Sequence, residues 1–450
     1  MRKIVAAVAL SLLILAQPVR AQSILRDAET EAVFAEMSKP MILAAGLNPK
    51  DVRVILIQDD SINAFVVGGQ TVYIHSGLIS EADNANQVQG VIAHELGHIA
   101  DGHVVLQSDG AKPALGIAIL SMVLGIAAIA AGSAEGGAGI IAAGQQAAQG
   151  KFLAFTRVQE ATADATAAKF LQDSGITGRG FLQFFKKLQS QEFRAGYVNI
   201  DPYAQSHPLS GERVATLTHT LEESPAWNTP PNQALNMRFL RVKAKLKGYV
   251  DEPPRTLTAY PLTDQSIYAH YARAYAYHKA GYPDKANAEA DALIAAAPHD
   301  PYFLEIKGQI LLESGEPLAA LAPLREATQL TNYQPLIATT FGHALIATDD
   351  KANYAEAEKV LRQAVSRDDE NPFAWYQLGT VYERQGDSAR AMLATAERAS
   401  LTGDARTAAY SARAASAGLP QNSVDWIRAQ DIALTAQNEL DDTRKGNRRR

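Results

Sequence analysis

A 34-residue spacing runs through the second half of the chain and restricts its fold more than any other feature. Gly281 and Gly315 stand 34 apart, as do Ala286 and Ala320, Pro301 and Pro335, and Ala357 and Ala391. The steps from Ala320 to Ala357 and from Pro335 to Pro372 are 37, so one unit carries three extra residues near Asp349-Asp350-Lys351. A unit with Gly in a turn, a small Ala after it and a closing Pro reads as a pair of short helices. Such a pair cannot bury its apolar face alone, so successive pairs stack into a solenoid. The array starts near Tyr260, its best copy runs from Phe373 to Asp404 with Trp375, Leu378, Gly379, Tyr382 and Gly386, and a degenerate pair ends near Leu440. The aromatic and Ala positions read as solenoid core, and the concave surface as the place where peptides or partner proteins dock. A basic tail, 441–450, follows and reads as disordered.

The chemistry lies in the other half. His94-Glu95-Leu96-Gly97-His98 sits in an apolar frame that reads as a buried helix. Positions four apart share a helical face, so His94 and His98 can point two imidazoles at one metal ion. Glu95 is placed to reach a water polarised by that ion, take its proton and pass it to a leaving amine. This pattern is the signature of a zinc peptidase. A catalytic site needs a third protein ligand. The metzincin arrangement would place Gly at 101 and His at 104, where the chain has Asp101 and Val104, so it fails. Glu160, in Arg157-Val-Gln-Glu160-Ala-Thr-Ala-Asp164, fits instead. Asp164 shares its helical face and could fix the tautomer of a ligand His. In Ser206-His207-Pro208-Leu209-Ser210-Gly211-Glu212-Arg213, His207 could stabilise an oxyanion or occupy the open metal position and hold the enzyme latent. Arg213 could orient that loop or pair with a carboxylate near the metal.

Other segments frame these motifs. Met1-Arg2-Lys3, the apolar run Ile4 to Ala16, and Pro18-Val19-Arg20-Ala21 form an export signal, 1–21, cleaved after Ala21. The chain has no cysteine, so disulfides, thiolate chemistry and lipidation of a lipobox cysteine are excluded. Export with neither points to the periplasm. A net charge of -6 gives no sign of nucleic-acid binding. An apolar pattern of helical period (Ile24, Ala28, Val33, Met37, Met41) precedes three β-like runs, Val52 to Ile57, Ile62 to Val67 and Thr71 to His75, the last two separated by Gly68-Gly69. An exposed strand edge beside the metal could pair with an extended substrate backbone. From Pro113 to Gly150 only Glu135 is charged. That segment has three open readings: a transmembrane hairpin, paired helices buried on the peptidase body or roofing its site, or a surface element that meets the membrane or a client.

The order of these motifs resembles the gluzincin group that includes the CAAX-prenyl-protease-like metallopeptidases. Within it, the chain resembles periplasmic proteases that join such a domain to tetratricopeptide repeats. The matching residues are Asn63-Ala64-Phe65, Gly68-Gly69, Ser76-Gly77-Leu78, His94 to His98, Arg157 to Asp164, His207-Pro208 and Arg213. The expected fold is an α+β metallopeptidase domain, mostly helical with a small sheet, at 22–228. A linker at 229–259 leads to an all-α tetratricopeptide solenoid at 260–440. The resemblance implies one Zn2+ per chain on His94, His98 and Glu160, with Glu95 as general base, Asp164 supporting a ligand His, and His207 regulating the site. It also implies degradation of misfolded or stalled envelope proteins and support for outer-membrane protein assembly, with the repeats contacting the assembly machinery. Two alternatives stand beside it: a chaperone-like scaffold with a latent metal site, and an intramembrane protease if 114–132 spans the bilayer.

Overall fold

A computed structural model describes residues 23–130, 133–195, 207–208 and 210–448. The export signal, Ser206 and Leu209 lie outside the described residues. Those up to Arg26, with Glu31–Leu240, form one compact unit; Asp27–Thr30 and Arg241 onward form a second.

The first unit sets a four-stranded sheet against helices. Strands β1 (Ser23–Leu25), β2 (Arg53–Gln58), β3 (Ala64–Val66) and β4 (Thr71–His75) are ordered β1-β2-β4-β3. Ile24, expected in the first helix, belongs to β1; helix α1 (Ala28–Ala44) starts at Ala28. β4 is the most buried strand, and its Val72, Tyr73 and Ile74 suit a packed pleated surface. It pairs parallel with β2 and antiparallel with β3. The turn between β3 and β4 holds Gly68 at φ +68° and Gly69 at φ +111°, a left-handed backbone that side chains disfavour. β3 is therefore an edge strand.

Helix α2 (Ser76–Glu81) leads to α3 (Ala85–Ala100), which carries the His pair. Asn84 caps α3 by accepting from the Gln87 amide at 3.0 Å, and every residue from Ala85 to His98 is buried. α3 packs against α5 (Ala134–Asp173), α6 (Arg179–Ala195) and β3. Two glycines make this packing tight. A Cβ at Gly90 would lie 2.3 Å from the Phe181 Cβ, and one at Gly97 would lie 2.8 Å from the Ala163 carbonyl oxygen. Asn86 fixes the start of α6, donating to the Thr177 carbonyl and accepting from the Gly180 amide.

Between α3 and α5, helix α4 (His103–Ala130) runs out and α5 returns against it as an antiparallel hairpin. The stretch Lys112–Ile129 is only 11% buried. Burial of this pair on the peptidase body is thus overturned: the helices pack on each other and leave their large apolar side chains exposed. Helix α7 (Gly211–Glu222) and the first half of α8 (Gln233–Val250) complete the unit.

The second unit is helical. The segment expected as a connection contributes the rest of α8 and α9 (Pro253–Ala259). Helix pairs follow: α10 (Ile267–Lys279) with α11 (Pro283–Ala296), α12 (Pro301–Glu313) with α13 (Pro317–Leu330), α14 (Pro335–Ala347) with α15 (Tyr354–Arg367), and α16 (Pro372–Gln385) with α17 (Ser388–Leu401). The degenerate pair is α18 (Ala405–Gly418) and α19 (Val424–Arg448). Gly308 and Gly342 let paired helices close, because a Cβ there would lie 2.4 Å from Leu324 Cγ and 2.5 Å from Leu361 Cγ. Asp349, at φ 56°, takes the left-handed turn position held by Gly281, Gly315 and Gly386 in other repeats. The extra residues after it form a 3-10 turn, Lys351–Asn353. The basic end, read as disordered, continues α19 as helix to Arg448.

Candidate metal centre

Four side chains from three places in the first unit converge: His94 and His98 from α3, Glu160 from α5, and His207 just before α7. All four are buried, and one potential ligand atom from each lies within 4.8 Å of the others. His94 Nε2 is 3.1 Å from His98 Nε2, 3.3 Å from Glu160 Oε2 and 3.3 Å from His207 Nδ1. His98 Nε2 is 3.4 Å from Glu160 Oε1. Tetrahedral bonds of about 2.0–2.1 Å place ligand atoms about 3.4 Å apart, so the spacing fits one divalent ion. The donor chemistry fits as well, with imidazoles and one carboxylate. Glu95 lies beside this group, fully enclosed, and its Oε1 accepts no hydrogen bond from the described residues. A buried carboxylate oxygen in that state fits a site arranged for a further polar ligand.

Arg213 and Asp164 support the centre from outside. Asp164 Oδ1 is 3.0 Å from His94 Nδ1, on the ring face away from the cluster. Arg213 donates through Nε and one terminal nitrogen to the two Asp164 oxygens at 2.8 and 2.9 Å, the fork geometry only a guanidinium offers. Its other terminal nitrogen is 3.0 Å from Glu160 Oε2 and donates to the Pro208 carbonyl at 2.8 Å. Arg213 itself is placed by the start of α7, where Ser210 accepts from its amide. Its guanidinium also lies over the Phe185 ring.

The charge balance follows from these contacts. Burial disfavours the charged form of His94, but Asp164 and Glu160 outweigh it and push the imidazolium up to about 10. Burial would raise Glu160, yet His207 and the paired histidines hold it well below the usual carboxylate range. The pocket thus has an anionic field able to bind a cation.

The structure brings together every site residue read from the sequence: His94, Glu95, His98, Glu160, Asp164, His207 and Arg213. The sequence reading missed His103, which opens α4. Its Nδ1 shares a 2.9 Å hydrogen bond with His98 Nδ1, and its Nε2 meets Thr162 Oγ1 at 3.1 Å. His103 thus stands to His98 as Asp164 stands to His94. The available signal was a third histidine just past Gly102, whose φ of +70° turns the chain back.

Residues 25–221 match the family model for Peptidase family M48. The chain is similar to the beta-barrel assembly-enhancing protease of Yersinia pestis, with 26% identity over 83% of this chain and 76% of that protein. It is similar to the metalloprotease LoiP of Escherichia coli strain K12, with 32% identity over 37% of this chain and 60% of that protein. A solved tetratricopeptide-repeat protein, YrrB, aligns at 19% identity and a TM-score of 0.32, over 39% of this chain and 91% of its own. The first unit therefore carries a metallopeptidase, and the second, by its 34-residue period and successive helix pairs, is a helical array of tetratricopeptide type.

Proposed function

We propose that this chain is a periplasmic zinc metalloendopeptidase. It cleaves misfolded or stalled envelope polypeptides and supports outer-membrane protein assembly, while its repeats hold clients or the assembly machinery. One observation carries the catalytic reading: His94, His98 and Glu160 meet at ligand spacing beside buried Glu95, whose Oε1 accepts no hydrogen bond from the described residues and lies 3.6 Å from His207 Nε2. The relatives' names point to β-barrel assembly in those proteins. The basic N-terminus at Arg2-Lys3, the apolar run and the cleavage site support export.

In this reading His94, His98 and Glu160 hold Zn2+, which when bound supplies Lewis acidity to a carbonyl and to water. Glu95 takes the proton at Oε1 and delivers it to the leaving amine. Asp164 and His103 keep the far nitrogens of His94 and His98 engaged, so that the near nitrogens face the centre. The edge of β3, packed against α3, offers backbone groups to an extended substrate.

His207 serves as a latch. Its Nδ1 lies 3.0 Å from Glu160 Oε2 and 3.3 Å from His94 Nε2, inside the ligand group and where a substrate carbonyl would have to enter. The same placement favours a second reading, a chaperone-like scaffold whose site stays latent.

Zinc content and cleavage of an unfolded protein separate these readings. Glu95→Gln is expected to keep zinc and lose about 10²–10⁴-fold in cleavage rate, while His207→Ala cleaves faster than the parent. Folded protein without zinc would refute the metal assignment. Full rescue of envelope assembly in cells by Glu95→Gln would favour the scaffold.

A further inference from the structure

We propose that the α4–α5 hairpin inserts into a lipid bilayer, turn first, to the level of Lys112 and Lys151. The inference does not depend on the peptidase reading.

Length and charge agree first. From Lys112 to Ile129 is 18 residues, or about 27 Å of helix, close to the ~30 Å hydrocarbon thickness of a bilayer. The returning leg, from Ala134 to Lys151, has a similar length. Between the two lysines only Glu135 is charged, and it sits at the turn, where a full insertion would bring it to the opposite interface. Gln145, Gln146 and Gln149 gather in the last two turns before Lys151, toward the headgroups. Lys112, Lys151 and Arg157 place cations at the base, as an anionic lipid surface favours.

Packing points the same way. A soluble helix pair buries its large apolar side chains between the helices. This hairpin turns most of them outward. Its seam is built on small residues with two isoleucines laid across them: a Cβ at Gly125 would lie 2.4 Å from Ile141 Cγ1 and 2.7 Å from the Gly137 carbonyl oxygen, one at Gly137 would lie 2.4 Å from Ile129 Cγ1, and Gly144 sits directly against Ser121. Leu120, Val123 and Ile126 point outward at 60%, 59% and 57% exposure. Close backbone approach at small residues, with most large residues outside, is the arrangement of helix pairs in membranes. Only 11% of the apolar stretch is buried, which sets it apart from a core helix, and it lies far from the N-terminus. The exposed large apolar side chains lie mostly on α4, from Leu115 to Ile129, with Ile140 on the returning leg, and α4 is the one described helix long and apolar enough to cross a bilayer.

The consequence is positional. α5 runs without a break from the hairpin to Glu160, which lies nine residues past Lys151, about 14 Å along the axis. Insertion therefore holds the metal centre above the membrane surface, where it meets segments protruding from the bilayer and not segments inside it.

The test uses residues 22–450 and vesicles of phosphatidylethanolamine and phosphatidylglycerol. The chain has no cysteine, so Ile126→Cys and the exposed Leu434→Cys can each carry one environment-sensitive dye. The protein is expected to float with vesicles and resist carbonate. The dye at 126 should shift to the blue and be quenched by lipid-borne quenchers, while the dye at 434 should not. Leu120→Glu/Val123→Glu/Ile126→Glu, at exposed positions, should keep its circular dichroism and metal content yet stay with the soluble fraction. An unshifted dye at 126, or flotation of the triple variant equal to the parent, would overturn the proposal. Self-association in solution that the triple variant abolishes, without vesicle binding, would assign the surface to a second copy instead.

Discussion

Arg213 ties three parts of the centre together: Asp164 behind His94, Glu160 in the ligand group, and the Pro208 carbonyl next to His207. Lysine cannot reproduce that fork. Arg213→Lys is therefore expected to keep the fold but lower metal affinity or activity by about 10–100-fold, the usual cost of losing such support. Competitive metal titration measures it, and unchanged affinity and activity would show that the guanidinium only fills space. At this scale the sequence was informative wherever chemistry sat at helical spacing. His94 with His98 and Glu160 with Asp164 are both i,i+4 pairs, and each pair does lie on one face. Where contacts arise from a turn or between distant elements, spacing carried less. His103 reaches His98 only because Gly102 reverses the chain, and no helical spacing links the two. The geometry around His207 depends on where α7 begins, which no local pattern states.

Elements are set by what their surfaces meet. α3 and α5 must approach closely enough for Glu160 to join two histidines on another helix, and Gly97 permits it. Gly97→Ala would gain about 1 kcal/mol in helix propensity but force its Cβ against the Ala163 carbonyl at 2.8 Å, and backbone cannot yield as a side chain can. Overpacking of this kind costs about 1–3 kcal/mol. The expected result is a small change in unfolding midpoint with a larger loss of metal affinity, because the strain moves the helix that carries Glu160. Gly116→Ala, in open space on α4, is the control and should leave metal affinity intact. Equal metal affinity in both variants would refute the link between this contact and the centre. The repeats were legible as elements because period 34 is itself a packing statement: Gly308 and Gly342 recur where helices touch. The α4–α5 hairpin was not, because composition reports that a helix is apolar without reporting which way its large residues face.

Across the whole chain, the least legible feature is a charged cluster buried in the second unit. Lys245 pairs with Asp27 and lies 3.7 Å from Glu29, while Arg241 pairs with Glu29 and Asp300. Tyr271 donates to Glu29 at 2.8 Å. Asp27 and Lys245 are more than two hundred residues apart, and no pattern in the sequence joins them. Glu305 faces the same group. Part of its surface is exposed, but its Oε2 is buried and has no hydrogen-bond partner among the described residues. Burial pushes its carboxyl up to about 8 against the pull of Lys245, with Asp27 and Glu29 adding repulsion. Burial raises Glu29 as well. A carboxyl raised on folding contributes stability that is complete below its ordinary value near 4.5 and lost as pH rises through 8. One proton corresponds to about 1.4 kcal/mol per pH unit within that window, so Glu305 should cost the second unit on the order of a few kcal/mol between mild acid and pH 8. Asp27, held below its usual range mainly by Lys245 against the effect of burial, acts only at lower pH and does not offset this. Denaturant unfolding at a series of pH values should show stability falling toward pH 8 in the parent and falling less in Glu305→Gln, which cannot ionise. The residual slope in that variant belongs to Glu29, to Glu397, which burial also raises, and to histidines, so the difference between the two curves isolates Glu305. Parallel curves would mean that Glu305 ionises in the folded protein as freely as in water.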